Sequence, residues 1–195
     1  MPAAPAPWRT LLDRALRENP LRPDAGYLQL ATVRADGRPA NRTIFFRGML
    51  DPGDRILFTT NLYSAKVGEL TAQPFAAACW HFLATREQFR LEGRVELVGA
   101  AHPDAALRAE RARVWKEKRE DSRQTFAWPR PGFPREPDAA FSAPPSDPDA
   151  PAPNFLLCVL SLEEVDYIDL RPLPHLRWHY RRQGASGWSS EAWNP

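Results

Sequence analysis

The sequence predicts a mainly β protein in which short antiparallel strands build a β-barrel and a few helices lie at its periphery. Many short apolar runs, several of them alternating with polar residues, are typical of half-buried strands. Turn-forming dipeptides such as Asp36-Gly37 separate neighbouring runs, as in hairpins. Helical spacing is confined to a few stretches, which argues against a parallel sheet with alternating helices. A length of 195 residues suits one domain, 1–195.

The first half of the chain is predicted as one helix followed mainly by strands. Residues 8–18 carry apolar side chains at helical spacing, and Asn19-Pro20 ends that helix. Ser64 is the predicted N-cap of a short helix that runs to residue 70. Asp-Pro-Gly-Asp at 51–54 is a predicted turn. The strands predicted in this half are 27–33, 39–46, 55–60, 75–83 and 88–98.

The second half contains a charged helix, a proline-rich segment and the last strands. The helix is predicted over 103–120, with Pro103 in its first turn. Nine of the 21 prolines lie in 129–153, which predicts an extended, partly disordered loop inserted within the domain. The late strands are predicted at 155–162, 165–170, 176–181 and 188–193.

Composition excludes several classes of function. Hydrophobic residues make up 43% of the chain and charged residues 26%, which is typical of a soluble globular protein. The net charge of +2, without a basic stripe, argues against an RNA-binding barrel. We find no secretory signal and no apolar run of membrane-spanning length, and Cys79 and Cys158 lie in apolar runs as thiols of a reducing compartment. We therefore expect a cytoplasmic protein with no membrane and no nucleic-acid partner.

The residues 41–66 carry the clearest functional signal. Arg42 and Arg47 flank an apolar strand, and a second strand ends in Thr59-Thr60 just before Ser64 and Lys66. Arg binds phosphate oxygens with a planar fork, Lys binds them as a point charge, and a helix start adds backbone N–H donors. Cationic groups beside apolar strands suit a ligand with a flat ring and a phosphate tail. The segment therefore predicts a nucleotide-like cofactor, with FMN as the first choice.

Several segments, in order, resemble those of the pyridoxamine 5′-phosphate oxidase family of FMN-binding split barrels. The segments are Arg-Thr-Ile-Phe-Phe-Arg at 42–47, Thr-Thr-Asn-Leu-Tyr-Ser-Ala-Lys at 59–66, Arg-Glu-Gln-Phe-Arg-Leu-Glu-Gly-Arg-Val-Glu at 86–96, Glu-Glu-Val-Asp-Tyr at 163–167 and Trp-Asn-Pro at 193–195. The resemblance extends over residues 26–195. It implies a six-stranded antiparallel split barrel, a homodimer with FMN at the subunit interface, and an FMN-dependent oxidoreductase acting on a small molecule.

The resemblance also assigns roles to individual residues. Arg42 and Lys66 would hold the flavin phosphate, and Gln88 the polar edge of the ring. Arg177 would approach the flavin from the other end of the chain. The full set assigned to the cofactor is Arg42, Thr43, Ile44, Phe45, Arg47, Thr59, Thr60, Ser64, Lys66, Gln88 and Arg177. The sequence identifies no catalytic residue.

The substrate side departs further from the family pattern than the cofactor side. An Arg next to Lys66 is replaced by Ala65, and the Arg of an Arg-x-His pair is replaced by Leu173. The positions left for substrate binding are Arg47, Arg119, Arg123 and His175. This pattern is typical of a diverged subfamily, and it leaves the physiological substrate open.

Other interpretations stay open at this stage. A flavin reductase or an F420-type reductase on the same barrel would need the same cationic residues, and so would a non-enzymatic flavin- or haem-binding protein. Outside the context of Lys66, Arg42 and Arg47 are more often solvated charges at strand ends, and the charged run 108–123 is most simply a solvated helix face. His175 and His179 lie in a strand-like pattern, so we expect no metal site.

Overall fold

The computed structural model describes residues 6–19, 26–50, 55–184 and 187–195. Pro20 and the predicted turn at 51–54 lie outside these residues. The helices are α1 (Arg9–Glu18), α2 (Ala65–Ala72), α3 (Ala105–Lys116) and α4 (Glu120–Gln124), with short 3-10 turns at Thr125–Ala127 and Asp138–Phe141. The strands are β1 (Tyr27–Val33), β2 (Pro39–Phe45), β3 (Met49–Leu50), β4 (Arg55–Asn61), β5 (Phe75–Phe82), β6 (Glu87–Val98), β7 (Phe155–Asp169), β8 (Leu176–Gln183) and β9 (Gly187–Ala192).

All the strand pairs of the described residues are antiparallel and belong to one sheet of nine strands. The order is β2-β1-β5-β6-β7-β4-β3, with β8 paired to β7 and β9 paired to β8. The predicted mainly β class with peripheral helices is therefore confirmed. The predicted count of six strands is not, because β3, β8 and β9 extend the same ladder. The ladder does not close into a ring, although Arg47 and Gly48, between β2 and β3, exchange backbone hydrogen bonds with Leu57 of β4.

The strand β7 is continuous where the sequence predicted two strands, at 155–162 and 165–170. Opposite its middle, the register slips between Glu92 and Gly93 of β6, which pair with Glu164 and Leu162, so Glu163 is an extra residue. A Cβ built on Gly93 would lie 1.9 Å from the carbonyl oxygen of Ser161, so this close approach of two backbones requires glycine. The two consecutive acidic residues Glu163 and Glu164 suggest the end of a strand in the sequence, but in the structure they lie at a bulge within one continuous strand.

The predicted helix 103–120 is shorter than expected and is followed by a second helix. Asp104, not Pro103, caps α3, because its carboxylate accepts hydrogen bonds from the backbone N–H groups of Ala106 (2.7 Å) and Leu107 (3.2 Å). After α3, the Lys118 N–H donates to the Trp115 carbonyl, which tightens the chain before α4 begins. The prediction of Pro103 in the first helical turn was therefore wrong.

Two apolar cores lie on opposite faces of the sheet. Side chains of even-numbered positions on β4 and on β7 up to its bulge, such as Phe58 and Cys158, pack in the larger core with Trp8 of the N-terminal segment. Odd-numbered positions, such as Leu57 and Phe155, pack in a smaller core with α3. This alternation follows from the two-residue period of a strand, and it assigns each functional side chain near β4 and β7 to one face.

The proline-rich segment 129–153 contains one 3-10 turn and is anchored near its C-terminal end. Its backbone carbonyls accept hydrogen bonds from the Trp115 indole, at Asp147 (2.9 Å), and from the Arg111 guanidinium, at Ala152 (2.7 Å). Ser146 accepts a hydrogen bond from the Arg123 Nε (2.9 Å). These contacts tie the segment to α3 and α4, beside the smaller core.

Candidate functional site

A partly buried ammonium group lies at the start of α2. Lys66 Nζ donates hydrogen bonds to the hydroxyls of Ser64 (2.7 Å) and Thr60 (3.0 Å). Both partners are neutral, and among the described residues no carboxylate lies within ion-pair range of Lys66. Burial lowers the pKa of Lys66, and Arg42 adds to this effect, while Cys158 and Glu69 oppose it. The site therefore holds a desolvated cation whose charge an anionic ligand would balance.

The N-terminus of α2 adds donors at the same place. Ser64 is the N-cap, as predicted, but its hydroxyl makes no capping hydrogen bond and accepts from Lys66 instead. The first N–H groups of a helix have no acceptor within the helix, and its dipole favours a negative charge there. Ammonium, hydroxyl and backbone donors thus converge at 64–66. That combination of donors suits an anionic group such as a phosphate.

Arg42 lies close to Lys66 but is engaged by the protein itself. Its guanidinium donates to Glu69 Oε2 (2.7 Å) and to the Thr32 hydroxyl, and that hydroxyl donates to the same carboxylate (2.5 Å). The opposite charges of Arg42 and Glu69 offset each other, and the carboxylate accepts a hydrogen bond from the guanidinium. Lys66 is therefore the uncompensated charge of this group.

A second cationic group lies near the smaller core. Arg47 follows β2, with its guanidinium 4.5 Å from the centroid of the Phe45 ring, and its buried Nε has no hydrogen-bond partner among the described residues. Lys118 lies between α3 and α4, only 5% exposed, and Arg123 belongs to α4. Burial, together with the charges of Arg47 and Arg123, lowers the pKa of Lys118 to about 8. The structure thus joins Arg47 and Arg123 to a lysine that the sequence analysis did not select.

Arg123 differs from Arg47 in that its donors already have protein acceptors. It pairs with Glu120 (2.6 Å), donates to Ser146 (2.9 Å) and donates to the backbone carbonyl of Lys118. Arg119, also selected from the sequence, points to solvent with its side chain 84% exposed and pairs with Asp121 (2.5 Å). The structure therefore does not bring Arg119 into this group.

The remaining residues expected near the flavin ring lie along β2 and β4. Ile44 is buried in the larger core, whereas Phe45 is partly exposed and packs edge-on against Tyr27 at 5.2 Å. Thr43 is exposed and accepts a hydrogen bond from the Gln29 amide at 3.3 Å. Thr59 is half-buried on β4. An apolar surface therefore lies next to the cationic groups, as a ring-binding site requires.

Gln88, His175 and Arg177 lie at the other end of β7 from Lys66. Gln88 of β6 and Arg177 of β8 both pair with Ile168, near the C-terminal end of β7. Arg177 forms an ion pair with Asp166 (2.7 Å) and lies over the Trp193 ring at 5.3 Å. The His175 ring Nδ1 lies 2.9 Å from the carbonyl oxygen of Pro172. Within one chain these residues form a separate group.

Across the described residues, no group of three or more His, Cys, Asp or Glu side chains is arranged to hold a metal ion. None of the described helices is long and apolar enough to span a membrane.

Comparison with known proteins identifies the fold and the cofactor class. Over 193 residues the chain is 37% identical to the pyridoxine/pyridoxamine 5′-phosphate oxidase 2 of Arabidopsis thaliana, spanning 97% of this chain and 98% of that one. The chain belongs to the pyridoxamine 5′-phosphate oxidase family. Residues 5–99 match the family model "Pyridoxamine 5′-phosphate oxidase, FMN-binding domain". This match confirms, at the level of the family, the FMN cofactor that the sequence predicted.

Solved structures show the same fold. An FMN-binding protein of Nostoc punctiforme, related to pyridoxamine 5′-phosphate oxidase, superimposes with a TM-score of 0.94 at 44% identity, covering 98% of this chain and 100% of that one. PhzG from Burkholderia lata superimposes with a TM-score of 0.77 over 95% of this chain and 91% of its own, and at 22% identity it supports the fold alone.

The residues at the start of α2 fit the phosphate of FMN. The desolvated Lys66 ammonium has only hydroxyl partners among the described residues, and the helix N-terminus supplies backbone donors beside it. The positive charge of Arg42 adds to the positive potential around Lys66, but the ion pair with Glu69 offsets part of that charge. The geometry at Lys66 therefore fits an anionic group better than the geometry at Arg42 does.

Proposed function

We propose that the chain is an FMN-dependent oxidoreductase that acts on a small molecule in the manner of the pyridoxamine 5′-phosphate oxidases. The observation that carries the proposal is the Lys66 ammonium at the N-terminus of α2, which is partly buried and, among the described residues, hydrogen-bonded only to hydroxyl groups. Lys66, Ser64 and the first N–H groups of α2 hold the phosphate, while β2 and β4 supply the apolar surface for the ring. FMN, when bound, accepts the reducing equivalent that the substrate gives up.

The proposed site also needs a second copy of the chain. Thr60, next to Lys66, pairs with Leu156 at one end of β7, whereas Arg177 pairs with Ile168 at the other end. The two positions on β7 are separated by 12 residues, or about 40 Å along the strand at roughly 3.3 Å per residue. One flavin cannot contact both ends of the strand in one subunit. A homodimer that places Gln88, His175 and Arg177 of one subunit beside Lys66 of the other satisfies both sets of roles.

A mixing experiment tests the shared site. Lys66→Met and Arg177→Met each remove one contributor, so each variant alone should lose flavin. After the two are unfolded together and refolded, mixed dimers carry one intact site, and about a quarter of the sites should recover. No recovery above the two single variants would contradict the shared site.

The oxidoreductase assignment is tested by reduction of the bound flavin. Pyridoxamine and pyridoxine 5′-phosphates are added without oxygen, and the visible absorbance of the flavin is followed. Bleaching by either compound, reversed by air, is the expected result. Flavin that stays oxidised with both compounds, and that NADH bleaches instead, would favour the flavin reductase alternative.

A further inference from the structure

The proline-rich segment carries the most exposed aromatic side chain of the described residues. Phe133 is 71% exposed and follows Gly132, which has a φ of +85°, and Pro131 and Pro134 flank this pair. Glycine tolerates a positive φ and proline fixes its own φ, so the turn has a defined shape. We call residues 130–135 the loop tip. It presents a phenyl ring to solvent on a stiff backbone.

Two cation–π contacts hold the ends of the loop tip against the rest of the chain. The Arg130 guanidinium lies 4.2 Å from the centroid of the Tyr63 ring, and the Arg135 guanidinium lies 4.8 Å from that of Phe141. Arg135 also forms an ion pair with Asp138, whereas Arg130 has no ion-pair partner in the part of the chain that the structure describes. The loop tip therefore combines an exposed aromatic ring with an unpaired positive charge.

A pocket of about 390 Å³ lies at the exposed face of β1, β5 and β6, beside the bulge of β7. Its apolar lining side chains include Ala31, Val33, Pro39, Phe75 and Ala77. Three carboxylates also line it. Glu164 pairs with Arg181 at 3.1 Å, but Glu92 and Glu163 have no ion-pair partner among the described residues. The pocket thus offers an apolar surface next to unpaired negative charges, which is the complement of the loop tip.

The pocket lies on the strand that also carries Gln88. Gln88 and Glu92 occupy the same face of β6, because the alternate residues Phe89 and Leu91 are buried in the larger core. Four residues separate Gln88 from Glu92, which is about 13 Å at roughly 3.3 Å per residue. The pocket is therefore a short distance along the sheet from a residue assigned to the flavin.

The loop tip lies near the other half of the proposed flavin site. Arg130 covers the ring of Tyr63, which is three positions before Lys66 in the chain. The proposed homodimer places Lys66 of one copy beside Gln88 of the other. In that arrangement the loop tip of each copy lies close to the pocket of its partner.

We propose that the loop tip docks into this pocket on a second copy of the chain. Phe133 buries its ring against the apolar lining, and Arg130 pairs with the carboxylates of Glu92 and Glu163. Complementary charge and an aromatic anchor select this occupant, and the twofold symmetry of a dimer forms the contact twice. The proposal rests on the proposed function, since it names a contact that holds the two copies of the shared flavin site together.

The first test asks whether the two surfaces meet between copies. In a Cys79→Ser background, Phe133→Cys and Ala77→Cys are placed on differently tagged copies, which are co-expressed and then oxidised. We expect a disulfide between the two tagged copies. Ala139→Cys, exposed on the same segment but outside the loop tip, replaces Phe133→Cys in the matched control and should give none. Absence of the disulfide between copies, or a disulfide only when both cysteines belong to one chain, would overturn the proposal.

The second test measures dimer dissociation by sedimentation over a range of protein concentrations. Phe133→Ala and Glu92→Lys should each weaken self-association by about tenfold or more, and adding Arg130→Glu to Glu92→Lys should recover part of the loss. Phe133→Leu keeps an apolar side chain and should retain most of the affinity. Glu96→Lys, exposed on the same face of β6 beyond the pocket, is the control and should behave as wild type. Wild-type self-association in Phe133→Ala would overturn the proposal.

Flavin content separates the failure of this proposal from the failure of the proposed function. Lys66→Met should lose flavin and still form the disulfide between copies. A cross-linked protein whose flavin stays oxidised with pyridoxamine and pyridoxine 5′-phosphates would refute the oxidoreductase assignment and support the docking contact. A dimer that retains flavin without the cross-link would refute the docking contact alone.

Discussion

The substitution Lys118→Met should change how the stability of the flavin-free protein depends on pH. Burial, with Arg47 and Arg123, lowers the pKa of Lys118 in the folded chain to about 8, whereas a lysine in the unfolded chain keeps its ordinary pKa of 10.5. Below pH 8 both states are protonated, and the folded state bears the full penalty of the buried charge. As the pH rises from 8 to 10.5, only the unfolded chain keeps the proton, so the penalty disappears. Its size is about 3 kcal/mol at about 1.36 kcal/mol per pKa unit.

The assay is urea unfolding at pH 7 and at pH 10 in a phosphate-free chloride buffer, with Lys118→Met measured beside wild type. The free energy of unfolding of wild type relative to the variant should rise by about 2.5 kcal/mol between the two pH values, because at pH 10 part of the unfolded chain still carries the proton. The control Lys116→Met should show no such rise, because Asp149 raises the pKa of Lys116 and any change then has the opposite sign. Equal slopes for wild type and Lys118→Met would refute the claim that this ammonium is buried without an ion-pair partner among the described residues.

Three further substitutions test the fold by urea unfolding. Glu87 is fully buried and accepts hydrogen bonds from Arg14 at 2.5 Å and from the Tyr167 hydroxyl at 2.6 Å. Glu87→Gln should therefore lower the free energy of unfolding by about 3–5 kcal/mol. A decrease below about 1 kcal/mol, the size expected for an exposed ion pair, would contradict that network. Gly93→Ala should lose about 1–3 kcal/mol or more, because its Cβ would lie 1.9 Å from a backbone oxygen, and wild-type stability would show that the bulge relaxes. Gly68 lies in α2, and no heavy atom lies within 4 Å of a Cβ built there, so Gly68→Ala should instead raise the free energy of unfolding by about 0.4–1 kcal/mol. A lower free energy of unfolding would contradict the open helical environment of Gly68.

Most strands were predictable because their patterns are local. Alternation between apolar and polar residues identified β1, β4, β5 and β6 within one or two residues, and the Asp36-Gly37 turn identified the first hairpin. The continuity of β7 was not predictable, because it depends on a bulge opposite Gly93, and that contact joins residues far apart in the sequence. The count of six came from the resemblance, whereas the local patterns predicted nine strands; two of these merge into β7, and the two-residue β3 was not predicted.

The candidate site was predictable where its residues are close in sequence. Thr60, Ser64 and Lys66 lie within one strand-to-helix connection, and the structure brings them into hydrogen-bond contact. The ion pair between Arg42 and Glu69 was not predicted, because 27 positions separate the two residues in the chain. No sequence pattern marks Glu69 as a partner.

Lys118 was missed because its burial is a tertiary property. In the sequence it belongs to a charged run that suggests a solvated helix face, and Arg119 next to it was selected from the resemblance instead. The end of α3 at Lys116 reverses this expectation, since it turns Lys118 inward and leaves Arg119 in solvent. A lysine flanked by Trp115 and Phe126 in the chain was the available signal, because aromatic neighbours favour a buried position.

The central claim is that Lys66 holds the phosphate of FMN, and the most direct test measures flavin affinity in lysine variants. The chain contains three lysines, Lys66, Lys116 and Lys118, so Lys→Met substitution at each gives a complete and matched set. FMN and riboflavin, which lacks the phosphate, are titrated into each flavin-free protein by fluorescence quenching. Lys66→Met should weaken FMN by about 10- to 150-fold, the size of one charge-assisted hydrogen bond, and leave riboflavin unchanged. FMN affinity equal to that of wild type in Lys66→Met, or an equal loss for riboflavin, would contradict the account.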